Sequence, residues 1–192
     1  MPNFNIISLL IGSALTLLVY ISFAIITKLS NHIGSFKIFV KTVYSKIDES
    51  TCLQVINRPE YRIFQIPLWI EFINTKNTSI IVRNLNMILF NDNKEVAKTI
   101  QINYFKEKAD STTKDYFANK GNYSFVIPPY SYQKFDLYFT LKDTSINKND
   151  FNKIKLSYYN SKGKLKILEF KNFEGGWNSE KIIKDDDWHE LR

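Results

Sequence analysis

The sequence predicts a mainly β protein in which one N-terminal transmembrane helix precedes an antiparallel domain of about seven or eight strands. The helix is predicted because no charged residue occurs between Phe4 and Thr27. The strands are predicted because several later segments alternate apolar and polar residues, which places the apolar side chains on one face of a strand. Hydrophobic residues make up 44% of the chain and aromatic residues 15%, enough to fill a core.

The uncharged N-terminal segment is long enough to cross a bilayer. Its 24 residues would form a helix of about 36 Å, against a hydrocarbon core of about 30 Å. A cleaved signal peptide is the alternative. Met1 to Asn3 contain no Lys or Arg, the apolar run is longer than a typical signal peptide's, and no good A-x-A cleavage site follows. We therefore predict that residues 1–27 are an uncleaved anchor.

The residues on the two sides of the anchor predict its orientation. The N-terminal side has no Lys or Arg, whereas Lys28, Lys37, Lys41 and Lys46 follow the apolar run. Lys and Arg close to a membrane helix resist translocation, which places the C-terminal domain in the cytoplasm. The alternative is an extracytoplasmic domain held by the same anchor.

Small residues in the anchor recur at helical spacing. Ser8, Gly12 and Thr16 are four positions apart, so they lie on one face and would let a second helix approach closely. Small residues are also common in membrane helices in general. Homo-oligomerisation through this face is therefore a secondary hypothesis.

A linker at 28–35 leads into a β domain at 36–174. Phe36–Lys46 fits both a strand and a continuation of the anchor helix, and its Val, Ile, Phe, Thr and Tyr content favours the strand. The next strand has apolar residues at every even position from Phe64 to Phe72. Pro67 lacks an N–H group, which predicts that this strand is at a sheet edge or breaks. A change of alternation at Arg83 and Asn84 predicts a β-bulge.

The rest of the domain continues the β pattern. The segments YSFVIPPY, QKFDLYFTL, KIKLSYY and KLKILEF read as strands, and the last two flank a turn at 160–163 that contains glycine. Antiparallel strands with at most one short helix predict a β-sandwich of immunoglobulin-like type. In the tail, 175–192, Ser179 could cap a short helix that docks through Ile182, Ile183, Trp188 and Leu191.

Three phrases of this domain resemble a known group of proteins. They are WIEFINTKNTSIIVRNLNMILFND, VIPPYSYQKFDLYF and KIKLSYYNSKGKLKILEF, which lie between Trp69 and Phe170. They are similar to bacterial and phage-borne proteins in which one N-terminal membrane helix precedes an immunoglobulin-like sandwich. The shared pattern is a strand that ends in Asn, a short polar turn, an Ile/Val strand and a later turn with proline. The group is mostly without assigned function, so the resemblance implies fold and topology only.

The composition disfavours most catalytic chemistries. One Cys excludes an internal disulfide and a CxxC pair, and no phosphate-binding glycine loop or HExxH motif occurs. His189 lies near Asp185, Asp186, Asp187 and Glu190, but acidic tails are usually solvated surface. Cys52 is interpreted as a packing residue. We therefore predict no enzyme activity, no metal site and no cofactor.

The positive charge of the chain does not indicate a nucleic-acid partner. The 26 basic residues exceed the 19 acidic ones to give a net charge of +7, but only 4 of them are Arg. Proteins that read bases rely on the planar fork of Arg, and here the charge is spread along the chain. We predict no nucleic-acid binding.

Two groups of residues remain as candidate contacts. The C-terminal hairpin is rich in lysine, and several of its lysines must project to one side, either as a solvated face or toward anionic lipid. If the tail does not pack on the core, its tryptophans would anchor a partner interface. We therefore predict a non-enzymatic protein-binding or scaffolding module. The contact residues are Lys153, Lys155, Lys164, Lys166, Trp177 and Trp188, and the hairpin also contains Lys162 and Lys171.

Overall fold

A computed structural model describes residues 6–30, 33–42, 54–105, 115–143, 150–172 and 188–192. Within these ranges the protein is mainly β with one N-terminal apolar helix, as predicted. The elements are α1 Ile6–Ser30, β1 Phe36–Thr42, β2 Gln54–Asn57, β3 Arg62–Asn74, β4 Ile80–Asn91, β5 Lys94–Lys98, β6 Ile100–Gln101, β7 Tyr104–Phe105, β8 Asp115–Tyr116, β9 Phe125–Ile127, β10 Ser131–Asp143, β11 Lys153–Tyr159, β12 Leu165–Asn172 and β13 His189–Glu190.

Helix α1 is long and apolar enough to span a membrane between Ser8 and Ser30. The most apolar 18-residue window of this span is not buried against the described part of the protein. An apolar helix whose side chains are exposed in this way is suited to lipid, where its backbone groups pair internally. The helix ends three residues later than the predicted anchor, which ended at Thr27, and Lys28 lies in its last turn.

Two antiparallel sheets form the domain. The six-stranded sheet has the order β13-β1-β3-β10-β6, with β2 also paired to β3. The five-stranded sheet has the order β12-β11-β4-β5, with β9 also paired to β4, and β7 and β8 form a separate pair. Both sheets contribute to one core, which includes Leu68 and Ile70 of β3 and Leu85 and Met87 of β4.

The alternation predicted for β3 is confirmed, because its even positions from Phe64 to Phe72 are all buried. The prediction for Pro67 is wrong, since β3 is continuous and has neighbours on both sides. On one edge of β3, strand β1 pairs with residues Leu68 to Asn74 and strand β2 pairs with residues Arg62 to Gln65. Pro67 lies between these two paired stretches. The N–H group that Pro67 lacks therefore leaves no hydrogen bond unmade with the described strands on this edge.

The bulge predicted at Arg83 and Asn84 is confirmed. The register between β4 and β11 shifts there, and Asn84 has a φ of 52°. The bulge exchanges the faces of β4, which is why Val82 and Leu85 are both in the core although they are three residues apart.

The strand interpretation of Phe36–Lys46 is confirmed over β1, and 43–46 lie outside the described residues. The described residues contain thirteen strand segments, more than predicted, because six of them have four residues or fewer. In the tail, the last residues form strand β13 on β1, and Leu191 is buried in the core. The remaining tail residues, 173–187, lie outside the described ranges.

Asn74 closes β3 and holds the loops that follow. Its side chain is 1% exposed. The amide nitrogen donates to the carbonyl oxygens of Thr78 at 2.9 Å and Pro128 at 2.7 Å. Its Oδ1 accepts from the backbone N–H of Lys76 at 3.0 Å. One buried amide thus fixes the loop after β3 against the turn before β10, which gives a physical reason for a strand that ends in Asn.

Candidate functional site

The outer face of the six-stranded sheet carries aromatic and charged side chains. Because the even positions of β3 are buried, its odd positions point away from the core, and these include Trp69 and Glu71. The neighbouring strand β10 contributes Tyr132 and Lys134, since Lys134 lies directly opposite Glu71. This face therefore combines a tryptophan with groups of both charges.

Strand β13 adds a second tryptophan to this face. The pairing of Val40 with His189 places Trp188 opposite Lys41, on the outer side of β1. The ammonium nitrogen of Lys134 lies 4.2 Å from the ring centroid of Trp69 and 5.2 Å from that of Trp188. We call these three residues the tryptophan cluster. At an exposed site, each cation–π contact stabilises by about 0.5–1 kcal/mol.

Polar pairs surround the tryptophan cluster. The hydroxyl of Tyr132 donates to Oε1 of Glu71 at 2.5 Å. This hydrogen bond raises the pKa of Tyr132, because loss of the phenolic proton would leave two anions in contact. On the other side, Nζ of Lys37 lies 3.2 Å from Oε2 of Glu190. The cluster therefore has a polar rim in which Glu71 accepts a hydrogen bond and Glu190 forms an ion pair.

The tryptophan cluster has the chemistry of a binding surface. Both indole rings are half-buried and the lysine between them is exposed, so ring surface and a positioned cation are both available to a ligand. Within the described ranges no three His, Cys, Asp or Glu side chains come together as a metal site. Asp185, Asp186 and Asp187 lie outside these ranges.

The structure separates the predicted lysines of the C-terminal hairpin. Lys153 and Lys155 lie on the outer face of β11, since Ile154 and Leu156 between and after them are buried. Lys155 pairs with Glu169 at 2.6 Å and lies 5.0 Å from the ring of Phe90, so its charge is already compensated.

The other lysines of the hairpin lie elsewhere. Lys166 is opposite Tyr158 and therefore on the inner side of the edge strand β12. Lys162 and Lys164 are exposed in the turn, and the side chain of Lys171 lies outside what the structure describes. The hairpin thus has no single face that carries all six lysines.

Of the two tail tryptophans, Trp188 lies in the cluster, whereas Trp177 is outside the described residues, as is Cys52. Sequence reasoning missed Trp69 and Lys134. The alternation of β3 contained the signal for Trp69, because a tryptophan on the polar side of a half-buried strand has no place in the core.

The small residues of α1 are all exposed along one face. The hydroxyl of Thr16 donates to the carbonyl oxygen of Gly12 at 2.8 Å. The helix therefore satisfies this hydroxyl by itself. The helix surface at Gly12 is uncovered, since a Cβ added at this residue would meet no described atom within 4 Å. Self-association through Ser8, Gly12 and Thr16 stays a prediction.

Known proteins show little similarity to this chain. No family model matches the chain. No curated protein is significantly similar to it. One solved structure, titled "X-ray structure of Northeast Structural Genomics Consortium target SoR45", aligns over 81% of this chain and 96% of its own length. It is 15% identical with a TM-score of 0.36, a similarity that supports no argument about fold or function.

Proposed function

We propose that this chain is a single-pass membrane protein whose cytoplasmic domain binds another protein and holds it at the membrane. The observation that carries the proposal is the tryptophan cluster, in which Lys134 lies between Trp69 and Trp188. Half-exposed tryptophans contribute most to binding where a partner completes their burial. A lysine already positioned by two rings loses little conformational freedom when a partner pairs with it.

The charges around the cluster favour a protein over a nucleic acid. Glu71, Asp136 and Glu190 lie on the same face as the lysines. Acidic groups would repel a phosphate backbone, whereas a protein surface can offer both charge signs and apolar side chains. The partner surface that fits best presents a carboxylate toward Lys134 and apolar groups toward the two indole rings.

The orientation of the domain is part of the proposal. Lys28, Lys37 and Lys41 follow the apolar span, and Lys and Arg near a membrane helix favour the cytoplasmic side. The extracytoplasmic alternative, a structural or adhesion module, would use the same anchor in the opposite direction.

We also infer that the two sheets form an immunoglobulin-like sandwich. The chain passes from β3 in one sheet to β4 and β5 in the other, and then to β6 in the first. Such crossings between two antiparallel sheets over one core are typical of that fold. An experimentally determined structure of the domain tests the inference, since the strand order and connections are its defining features.

The binding proposal is tested by quantitative pull-down of the full-length protein from detergent-solubilised membranes. Trp69→Ala should reduce retention of the bound protein by about tenfold or more, because a central aromatic anchor contributes at least about 1.4 kcal/mol. The matched control is Tyr61→Ala, because Tyr61 forms a similar cation–π pair outside the tryptophan cluster. Its ring centroid lies 4.0 Å from Nζ of Lys142. The control should change retention less than twofold.

A second variant protects the test against misfolding. Lys134→Gln removes the cation and keeps most of the side-chain volume, and it should also reduce retention. Urea unfolding of each variant checks that the domain is intact. Equal retention by wild type, Trp69→Ala and Lys134→Gln, with the control unchanged, would contradict the proposal.

A further inference from the structure

Four segments meet at the end of the domain that is joined to α1. Ser35 donates its N–H to Oγ1 of Thr75 at 2.7 Å, which joins the linker to the loop after β3. Tyr130 donates its N–H to the carbonyl oxygen of Lys76 at 3.1 Å. The β-hairpin is attached by a bond of 3.1 Å from the N–H of Ile81 to Oγ of Ser161. We call this surface, formed by residues 33–35, 75–81, 126–131 and 160–164, the near end.

The near end also contacts the last residue of the membrane helix. Nδ2 of Asn77 donates to Oγ of Ser30 at 3.3 Å. Gly34 has a φ of +96°, and a Cβ at this position would overlap the carbonyl oxygen of Thr75. The linker therefore runs directly against the loop after β3, and only glycine permits this approach. The end of the apolar span and the near end are in contact.

The near end combines exposed apolar side chains with positive charge. The exposed fractions are 74% for Tyr130, 71% for Ile33 and 63% for Val126. Lys162 and Lys164 are exposed in the hairpin turn. The four segments also contain Lys76, and none of their residues is Asp or Glu.

The opposite end of the domain has a different charge pattern. Its loops contain Glu60, Asp92 and Asp150 together with basic residues. Among the described residues, positive charge without compensation by acidic side chains is therefore a property of the near end, where the chain enters the membrane.

We propose that the near end rests on the anionic surface of the membrane that α1 spans. Lys162 and Lys164 contact acidic headgroups, and Tyr130 lies at the headgroup level, where aromatic side chains with a polar tip are favoured. The helix fixes the bilayer surface beside these residues through the contact of Ser30 with Asn77. An acidic protein would have to displace that surface to reach the same lysines.

The proposal is tested with the full chain in nanodiscs of phosphatidylcholine alone or with phosphatidylserine. An environment-sensitive fluorophore is attached to Val126→Cys in a Cys52→Ser background, since Val126 is exposed at the near end. Its emission should be higher and blue-shifted with phosphatidylserine, and high salt should reverse the change. Lys162→Gln with Lys164→Gln should lower the docking constant about 25-fold, because each lysine near the surface contributes about fivefold.

The matched control is Lys94→Gln with Lys98→Gln, which removes the same charge from β5. It should leave the docking constant unchanged within about twofold. Equal emission in both lipids, or an equal loss in the control, would overturn the proposal. Equal emission in both lipids together with an emission change on addition of soluble polyglutamate would also overturn it, and would assign the near end to an acidic protein. The salt response of the unmodified lysines keeps the test decisive if the double variant unfolds. Nanodiscs present the same lipid on both sides, so the result depends neither on orientation nor on the tryptophan cluster.

Discussion

Tyr123 connects the two sheets, and its replacement by Phe tests how much this connection stabilises the domain. Its backbone carbonyl accepts from the N–H of Leu85 on β4, in the five-stranded sheet. Its hydroxyl lies 2.7 Å from the carbonyl oxygen of Tyr138 on β10 and 2.5 Å from that of Ile102. The same hydroxyl accepts from the N–H of Tyr138 at 3.0 Å. The side chain is 3% exposed.

Burial raises the pKa of Tyr123 from 10.0 to about 12, although its hydrogen bonds to the backbone of Tyr138 and Ile102 act in the opposite direction. A group whose pKa is raised by folding contributes stability below its unfolded pKa and loses it as the pH rises through its folded pKa. The window is therefore pH 10 to 12. A difference of two units corresponds to about 3 kcal/mol in the free energy of unfolding.

Tyr123→Phe should have two effects. At pH 7 it should lower the free energy of unfolding by about 1–3 kcal/mol, because the buried N–H of Tyr138 loses an acceptor. Between pH 10 and 12 the variant should lose less stability than wild type, because one titrating group is absent. Part of the alkaline loss should persist, since burial also raises the pKa of Tyr138 and Tyr158.

Urea unfolding of the full-length protein in detergent micelles, followed by tryptophan fluorescence at pH 7, 10 and 11.5, measures both effects. The matched control is Tyr130→Phe, because the Tyr130 side chain is 74% exposed. This control should change neither the free energy of unfolding at pH 7 nor its loss at alkaline pH by more than about 0.5 kcal/mol. The reasoning would be refuted if Tyr123→Phe had the same free energy of unfolding as wild type at pH 7 and lost as much of it between pH 10 and 12.

Three further predictions concern the loops, the anchor and the orientation. Asn74→Ala should lower the free energy of unfolding by about 2–3 kcal/mol, since several buried backbone groups lose their partner; a change below about 0.5 kcal/mol by urea unfolding would contradict this. Removal of residues 1–27 should give a soluble, folded, monomeric domain with a β-type circular dichroism spectrum, because the strands bury their own apolar faces; aggregation or a helical spectrum would count against it. A reporter that works only in the cytoplasm should be active when it is fused after Arg192, and labelling of Cys52 in intact cells by an impermeant thiol reagent would favour the extracytoplasmic alternative.

The elements that could be predicted from the sequence are those with a local pattern. The uncharged run specifies α1 without reference to any other segment, since only the length of the apolar run matters. The even positions of β3 predict the buried face, and the change of phase at Asn84 predicts the bulge, because side-chain direction on a strand alternates residue by residue.

The features that could not be predicted depend on pairings between distant segments. Pro67 fits inside the sheet because, among the described residues, neither β1 nor β2 pairs with this position of β3. The tryptophan cluster forms only because β13 pairs with β1, which brings the last strand of the chain beside the first. No periodicity within either segment specifies that pairing, so Trp188 could be named as an interface residue without its neighbour Lys134.

The two proposed surfaces lie at different places on the domain, so lipid docking and partner binding should be affected by different substitutions. Trp69 is five residues from Asn74, so the tryptophan cluster lies about 17 Å along β3 from the near end. If the near end rests on lipid, the strands of the six-stranded sheet rise away from the bilayer and the cluster is held above the headgroups, accessible from the side. A partner bound there contacts the domain and not the lysines of the hairpin. Lys162→Gln with Lys164→Gln should therefore change lipid docking and leave retention of the partner unchanged, whereas Trp69→Ala should do the reverse.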